Sequence, residues 1–279
     1  MAKIDLSSAL EMATCSDPGR VRSNNEDSVL ANPQLGLAVL ADGMGGYNAG
    51  EVASSMATAV LGCELEHAFD LHPPHQVSED GKTWAHAALI DRVAKTNAAI
   101  HHAASNNAKY AGMGTTLVMV QFFDNRMAVA HIGDSRLYRL RDGELSQVTR
   151  DHSLLQEQID SGLITPEQAR FSQNKNLVTR AMGVDADVDT ELAEHDVLTG
   201  DVYLLCSDGL NDMVEDDEIA LTLSSLSANL PLCAQQLVDM ANDNGGRDNV
   251  SVILVKIKQP FPAPEMASGW KERVQSWFS

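Results

Sequence analysis

The chain has 279 residues, 44% of them hydrophobic, and a formal net charge of −19 from 20 basic and 39 acidic side chains. This is the composition of a globular protein with enough apolar material for a sizeable core, and its acidity argues against nucleic acid or an anionic membrane as partner, because both would repel it. No window approaches a transmembrane helix in length and the N-terminus lacks the features of a signal peptide, so we expect a cytoplasmic protein.

The first elements in chain order are two short predicted strands, Glu11–Ser16 and Val29–Ala31, on either side of a polar stretch. This stretch contains Arg22 and, four residues later, the acidic pair Glu26 and Asp27. The three side chains could form a surface ion pair of little energetic value. Beside carboxylates that hold a metal, however, the arginine would be placed to bind an oxyanion.

The next stretch, Leu37–Gly46, is an apolar strand that ends in Asp42 and is followed by glycines, which allow a sharp turn. A single Asp-Gly of this kind is more often a turn than a metal ligand. The pattern recurs, however, because three more aspartates lie at strand ends: Asp134, Asp208 and Asp248. Four strand-end aspartates in one chain indicate one site.

Helical periodicity and direct hairpins define the remaining elements. The predicted helices are 49–69, 82–105, 153–161, a short one after Pro166, 215–226 and 230–243. The predicted strands are 117–123, 126–132, 136–140, 144–148, 188–192, 202–206 and 250–257. Direct hairpins require antiparallel pairing, which excludes a doubly wound parallel sheet and a dinucleotide-binding reading of the glycines near Asp42.

Two segments stand apart from this pattern. Residues 151–183 lie between core strands without strand character, which suits a flap over a cleft, although they could equally be a connecting loop. Residues 259–279 combine a proline-rich linker with an amphipathic tail that would pack on its own domain or on a partner. We therefore expect one domain over 1–258, with the flap at about 151–183, followed by the tail 259–279.

Spacing excludes several phosphate chemistries. None of the cysteines, Cys15, Cys63, Cys206 and Cys233, is followed by an arginine six residues on, and the chain contains no P-loop. The cysteines are expected to be buried apolar residues. The remaining candidate is a cluster of carboxylates, and all-oxygen sites select hard cations such as Mg²⁺ or Mn²⁺. Two ions that share a carboxylate can lower the pKa of a bridging water and hold a phosphoryl oxygen.

Seven motifs in order resemble those of the PP2C-type (PPM) metal-dependent serine/threonine protein phosphatases in their bacterial form. They are Arg22–Ser28, Ala41–Gly46, Gly114–Thr116, His131–Arg136, Leu177–Gly183, Ser207–Asp212 and Gly246–Ser251. The resemblance covers about Glu11 to Ile257. It implies an α+β fold, a four-layer α-β-β-α sandwich of two antiparallel sheets flanked by helices, with metals in a cleft at one end.

The resemblance also assigns roles to the metal ligands. It implies that Asp42 bridges two catalytic Mn²⁺ or Mg²⁺ ions, with the carbonyl of Gly43 as a further ligand. It places Asp208 and Asp248 on the first ion, and Glu26 on the second, directly or through water.

Further roles follow for residues around these ligands. The resemblance implies a weaker third ion at Asp134 and Asp208, with Asp212 as a further ligand. It implies that Arg22 holds the phosphate and that Asp27 and Asn249 support the ligands.

The implied reaction is hydrolysis of phosphoserine or phosphothreonine on proteins by a metal-bridging hydroxide, without a phosphoenzyme. The implied partners are phosphoprotein substrates and a cognate bacterial serine/threonine kinase, and we expect a monomer that binds neither nucleic acid nor membrane. The alternative, a phosphoprotein-binding module without turnover, is disfavoured because every expected carboxylate is present.

Two positions depart from the family pattern. Met44 stands where eukaryotic members have a histidine proposed as general acid, so the leaving-group proton must come from elsewhere. The flap run Phe171–Asn176 also differs from the polar, often histidine-containing run expected of bacterial members, which leaves the substrate preference open.

Overall fold

The computed structural model describes residues 5–46, 49–77, 81–169 and 177–262. The strands are β1 Leu10–Asp17, β2 Asp27–Asn32, β3 Leu37–Met44, β4 Gly114–Thr115, β5 Leu117–Phe123, β6 Arg126–Ile132, β7 Arg136–Arg141, β8 Glu144–Gln147, β9 Glu191–Asp196, β10 Val202–Cys206 and β11 Val250–Ile257. The helices are α1 Ala49–Leu71, α2 Trp84–Asn106, α3 Leu154–Asp160, α4 Pro166–Ala169, α5 Asp208–Asn211, α6 Asp216–Leu226 and α7 Leu230–Asp243, with a 3-10 turn at Ala108–Tyr110.

The strands form two antiparallel sheets. The first has the order β1-β11-β10-β7-β8, and the second has the order β2-β3-β5-β6-β9, with the short β4 paired to the end of β3. Side chains from the two sheets pack together in a central core, which includes Leu40, Val120, Tyr203 and Ile253. The four-layer sandwich predicted from the family resemblance is confirmed.

The central strands are apolar at nearly every position because both of their faces are buried. In β3, Ala38 and Leu40 belong to the core between the sheets, whereas Leu37 and Val39 belong to the core under α1 and α2. A third core lies between the other sheet and α6 and α7. Strands buried on both faces lose the polar alternation of a surface strand.

The helices begin at recognisable caps. The side chain of Thr83 accepts a hydrogen bond from His86 N at the start of α2, and Asn229 accepts one from Leu232 N at the start of α7. Glu215 and Glu218 form a capping box at the start of α6. Each cap satisfies backbone N–H groups that have no partner inside the helix, which fixes where the helix starts.

The structure corrects several sequence expectations. The strand predicted at 188–192 is found at Glu191–Asp196. Cys206 and Cys233 are buried as expected, but Cys15 is half-buried and Cys63 is exposed. The flap run 171–176 and the tail from residue 263 lie outside the described residues.

In the described part of the chain, no helix combines the length and the apolar character that crossing a membrane requires. The cytoplasmic location stays a prediction.

Candidate metal centre

Asp42 lies at the end of β3 and is held there by its backbone. Its N–H donates to Thr116 Oγ1 at 3.0 Å, and its carbonyl accepts from Thr116 N and Thr115 Oγ1, both at 2.8 Å. Across the strand pair it faces Asp27, the first residue of β2. The Gly-Thr-Thr motif is therefore the clamp that fixes the predicted bridging carboxylate.

The other sheet brings Asp208 and Asp248 to the same edge. Asp208 is the first residue of α5, directly after β10, and Asp248 precedes β11, the neighbour of β10. Ser207 Oγ donates to Asp27 Oδ2 at 2.8 Å and so connects the two sheets beside the carboxylates. The site thus forms where the ends of two sheets meet.

Asn249 joins the separate loops around these carboxylates. Its Oδ1 accepts from Glu26 N at 2.8 Å, and its Nδ2 donates to the carbonyls of Pro18 and Asn24 at 3.0 and 2.8 Å. Asn249 is buried, and all of its side-chain polar atoms are engaged. It holds the loop that carries Glu26 against the start of β11.

Glu26 reaches the centre beside the first turn of α1. A Cβ on Gly50 would lie 2.7 Å from Glu26 Oε2 and 2.7 Å from the carbonyl carbon of Gly43, and a Cβ on Gly43 would lie 2.2 Å from Gly50 O. Gly43 N also donates to Glu26 O at 3.1 Å. The two glycines let the end of β3, the start of α1 and Glu26 approach one another without side chains between them.

The carboxylates perturb one another strongly. Burial, followed by the charges of Asp27 and Asp208, raises the pKa of Asp42 well above its usual range. Burial, followed by the charges of Asp134 and Asp212, does the same to the pKa of Asp208. Burial raises the pKa of Asp27 to about 6. Crowded carboxylates of this kind are costly unless protons or cations neutralise them.

The donor set fits hard divalent cations. Asp208 Oδ1 and Asp27 Oδ1 are buried and have no hydrogen-bond partner in the described part of the chain. The candidate ligands predicted at this edge offer oxygen, from carboxylates or the carbonyl of Gly43. Oxygen donors of high negative charge suit Mg²⁺ or Mn²⁺.

Arg22 lies at the rim of this cluster. Its Nη2 donates to Asp248 Oδ2 at 2.7 Å, and its side chain is 55% exposed. Its pKa is raised, chiefly by the hydrogen bond to Asp248 and by the charge of that group. Its guanidinium is therefore near the carboxylates and open to solvent, as a group that receives an anion must be.

Asp134 forms a second acidic group beside Asp208. Asp134 is buried, and its pKa is raised to about 7 by burial, followed by the charge of Asp151, with a smaller effect from Asp212. Sequence reasoning missed Asp151, which forms a salt bridge with Arg136 at 2.7 Å. The motif Asp134-Ser135-Arg136 identifies the arginine in the sequence, but it gives no indication that Asp151 is the partner of Arg136.

A cluster of His131, His152 and Glu191 was also missed. In the described residues it is the one set of three His, Cys, Asp or Glu side chains whose potential ligand atoms all lie within 4.8 Å of one another. Gly133 N donates to His152 Nδ1 at 3.1 Å, so the proton of neutral His152 is on Nε2, which faces Glu191 at 3.3 Å. The two imidazole rings are stacked at 4.7 Å and 21°. Their nitrogen lone pairs therefore lie in nearly parallel planes, which do not converge on one ion.

This histidine cluster acts as a structural support. His152 N also donates to Gly133 O at 2.9 Å, so two hydrogen bonds tie the loop before Asp134 to the segment that leads into α3. Burial, followed by the charge of His131, lowers the pKa of His152. The neutral ring is the form that can accept the Gly133 N–H.

The model of the family "Protein phosphatase 2C" matches residues 20–240. The chain belongs to the protein phosphatase 2C family. The family and the fold predicted from the seven motifs are thereby confirmed.

Two relatives show how far the similarity extends. The serine/threonine protein phosphatase PstP of Mycobacterium tuberculosis is 40% identical over 259 residues, which make up 92% of this chain but 46% of PstP, so the chain spans about half of that relative. The protein phosphatase PhpP of Streptococcus pneumoniae is 36% identical over 90% of this chain and 98% of its own length.

A solved structure of the PstP catalytic domain has the same fold. It is 40% identical, covers 90% of this chain and 99% of its own, and superposes with a TM-score of 0.78. That protein was crystallised in complex with two manganese ions. The relatives named as serine/threonine phosphatases are therefore similar to this chain over the whole sandwich.

Proposed function

We propose that this protein hydrolyses phosphoserine and phosphothreonine on protein substrates with the help of divalent metal ions. The observation that carries the proposal is the cluster of Asp42, Asp208 and Asp248, which come from two sheets, together with Asp208 Oδ1, which is buried and lacks a partner in the described residues. Family membership and the relatives named as protein phosphatases support it.

The proposed ligands follow the geometry. Asp208 and Asp248 would hold one ion and Glu26 the other, and Asp42 with the carbonyl of Gly43 would serve both. Two Mn²⁺ or Mg²⁺ ions are proposed here, as in the manganese complex of PstP. A third, weaker ion is proposed at Asp134, Asp208 and Asp212, and Asp27 and Asn249 hold the ligand loops in place.

The proposed reaction is direct attack of water on phosphorus, with no phosphorylated enzyme. When bound, divalent ions supply positive charge that activates the attacking water and neutralises the phosphoryl oxygens. Arg22 binds the transferred phosphoryl group by charge-assisted hydrogen bonds once its guanidinium leaves Asp248. Met44 has no titratable proton, so it cannot protonate the leaving serine or threonine oxygen.

One chain supplies every proposed ligand, which supports activity as a monomer. We propose a catalytic domain over residues 1–258, with a flap at about 151–183. Family membership also supports a cognate serine/threonine kinase as the source of the substrates, and phosphoproteins as the partners.

The test is release of phosphate from a phosphothreonine peptide by purified protein with Mn²⁺ at mildly alkaline pH. We expect turnover that EDTA abolishes and Mn²⁺ restores. Binding of the phosphopeptide without release of phosphate would instead identify a phosphoprotein-binding module and overturn the proposal.

A further inference from the structure

An open groove of about 1040 Å³ runs along the outer side of α1. One wall consists of Val52, Met56, Ala59 and Val60 from successive turns of α1, and the other is the 3-10 turn Ala108–Tyr110. These four α1 side chains are half-buried or exposed, although all of them are apolar. Apolar grooves that remain open on a protein surface commonly bind a partner.

The end of the groove at Glu51 is the end nearer the candidate metal centre. Glu51 lines its first part, and Glu51 Oε2 accepts a hydrogen bond from Asn24 Nδ2 at 2.9 Å. Burial is the main cause of the raised pKa of Glu26, a proposed metal ligand, and the nearby charge of Glu51 adds a smaller effect. The residue before Glu51, Gly50, packs directly on Gly43. A substrate chain that leaves the metal centre along α1 would therefore pass this end of the groove.

We propose that the groove binds an apolar side chain of the phosphoprotein substrate, a few residues away from the phosphorylated serine or threonine. The proposal rests on the proposed function, and it assigns the substrate class that the flap sequence left open. Each side of the groove carries one charged residue, Glu51 on α1 and Lys109 on the facing turn. The occupant that fits this lining is an apolar side chain in a polar peptide.

The length of the groove predicts how many residues separate the apolar side chain from the phosphorylated residue. From Glu51 to Val60 is nine residues of helix, which at 1.5 Å per residue is about 14 Å. An extended peptide rises about 3.3 Å per residue, so the groove matches about four residues of substrate. The apolar side chain is therefore expected two to five positions from the phosphorylated residue.

The experiment measures kcat/KM for phosphothreonine peptides that are identical except for one leucine, placed at each position from two to five on either side, against the all-alanine peptide. We expect leucine at one or two adjacent positions to raise kcat/KM about 5- to 10-fold, since the groove buries part of one apolar side chain. The full chain with Mn²⁺ is used throughout.

A matched pair of variants assigns this preference to the groove. Ala59→Glu places a carboxylate in the groove, and Ala94→Glu makes the same change at an exposed position of α2 that does not line it. The quantity compared is the ratio of kcat/KM for the leucine and alanine peptides within each variant, so a loss common to all substrates cancels. We expect a ratio near one in Ala59→Glu and the wild-type ratio in Ala94→Glu.

The outcomes separate this proposal from the proposed function. If wild type hydrolyses neither p-nitrophenyl phosphate nor any of the peptides, the proposed function fails. If it hydrolyses the peptides but leucine has no effect, or if Ala59→Glu keeps the preference, the groove proposal alone is wrong. A change in sedimentation of Ala59→Glu, with the preference unchanged, would identify the groove as a contact between two copies and also overturn it.

Discussion

Asp208 combines two properties that would be unfavourable in a protein without a bound cation. Its Oδ1 is buried and has no partner in the described residues, and the negative charges of Asp134 and Asp212 lie close to it. Removing one carboxylate charge would relieve repulsion and thus stabilise a purely structural cluster. The same change in a metal centre removes a ligand, so the direction of the effect on ion binding distinguishes the two roles.

We therefore predict that Asp208→Asn lowers Mn²⁺-dependent peptide hydrolysis by two or more orders of magnitude, on the scale of a lost metal-ion contribution. The matched variant Asp134→Asn should chiefly weaken the third ion and keep most of the activity at high Mn²⁺. Calorimetric titration with Mn²⁺ and steady-state rates measure both effects. Full activity in Asp208→Asn would show that the site is assigned wrongly.

Arg22 gives a prediction in which two properties change in opposite directions. Its guanidinium neutralises Asp248 and repels cations nearby, yet it is proposed to attract the phosphate. We predict that Arg22→Ala raises the inhibition constant of inorganic phosphate and the KM for peptide about tenfold, while Mn²⁺ binds as tightly as in wild type or more tightly. Weaker Mn²⁺ binding would instead mean that Arg22 holds Asp248 in its ligand position.

At the scale of the elements, the contact between the end of β3 and the start of α1 shapes the centre. Alanine in place of glycine inside a helix ordinarily stabilises by about 0.5–1 kcal/mol. At Gly50 the added Cβ would lie 2.7 Å from both Glu26 Oε2 and the Gly43 carbonyl carbon, and the latter is backbone that cannot turn aside. Overlap with backbone costs more than the helix propensity gains, so the clash decides the outcome.

We accordingly predict that Gly50→Ala lowers both the melting temperature and the affinity for Mn²⁺, because α1 and Glu26 are pushed apart. Gly46→Ala is the control, since a Cβ there meets no atom of the described residues within 4 Å. Thermal melts without metal and calorimetric titrations with Mn²⁺ give the two readouts. A Gly50→Ala protein with unchanged metal affinity would show that Glu26 tolerates displacement of the helix.

The sequence predicts strands and helices best where the local pattern and the burial agree. The hairpin β5–β6, strand β11 and helix α7 have the predicted bounds because apolar runs and turn residues mark both of their ends. Strand β9 was displaced in the prediction, since it is an edge strand that pairs only with β6 and has little apolar content. The two-residue strand β4 exists only through its pairing with β3 and has no local signal.

In the candidate site, too, features with a local sequence pattern could be predicted, and features that depend on distant residues could not. Strand-end aspartates followed by glycine are visible in the sequence, because each motif is local. The pairing of Arg22 with Asp248 and the clamp of Thr115 and Thr116 on Asp42 join residues far apart in the chain. The histidine cluster could not be predicted from a local motif either, because Glu191 lies on β9 and His131 on β6, far apart in the sequence.

At the scale of the whole molecule, the sandwich assembles like charges that the unfolded chain keeps apart. The raised pKa values of Asp27, about 6, and Asp134, about 7, mean that the folded protein binds more protons than the unfolded chain at pH 4–7. The contribution of these groups to stability is therefore fully present below the unfolded pKa near 4 and declines as the pH rises through their folded values. Above pH 7 the full repulsion must be offset by bound cations.

This linkage predicts a pH-dependent effect of metal. Saturating Mn²⁺ should raise the melting temperature by about 5–10 °C at pH 8, the scale expected from ligand at about a hundred times its Kd in a domain of this size. At pH 5.5 the increment should be smaller, because the ion must displace protons from the cluster. The difference between melting temperatures with and without Mn²⁺ is compared because groups that do not bind the ion titrate in both samples, so their effect on stability cancels. Asp208→Asn should lose most of the increment at pH 8, and an increment equal at both pH values would contradict the assignment of this cluster as a metal centre.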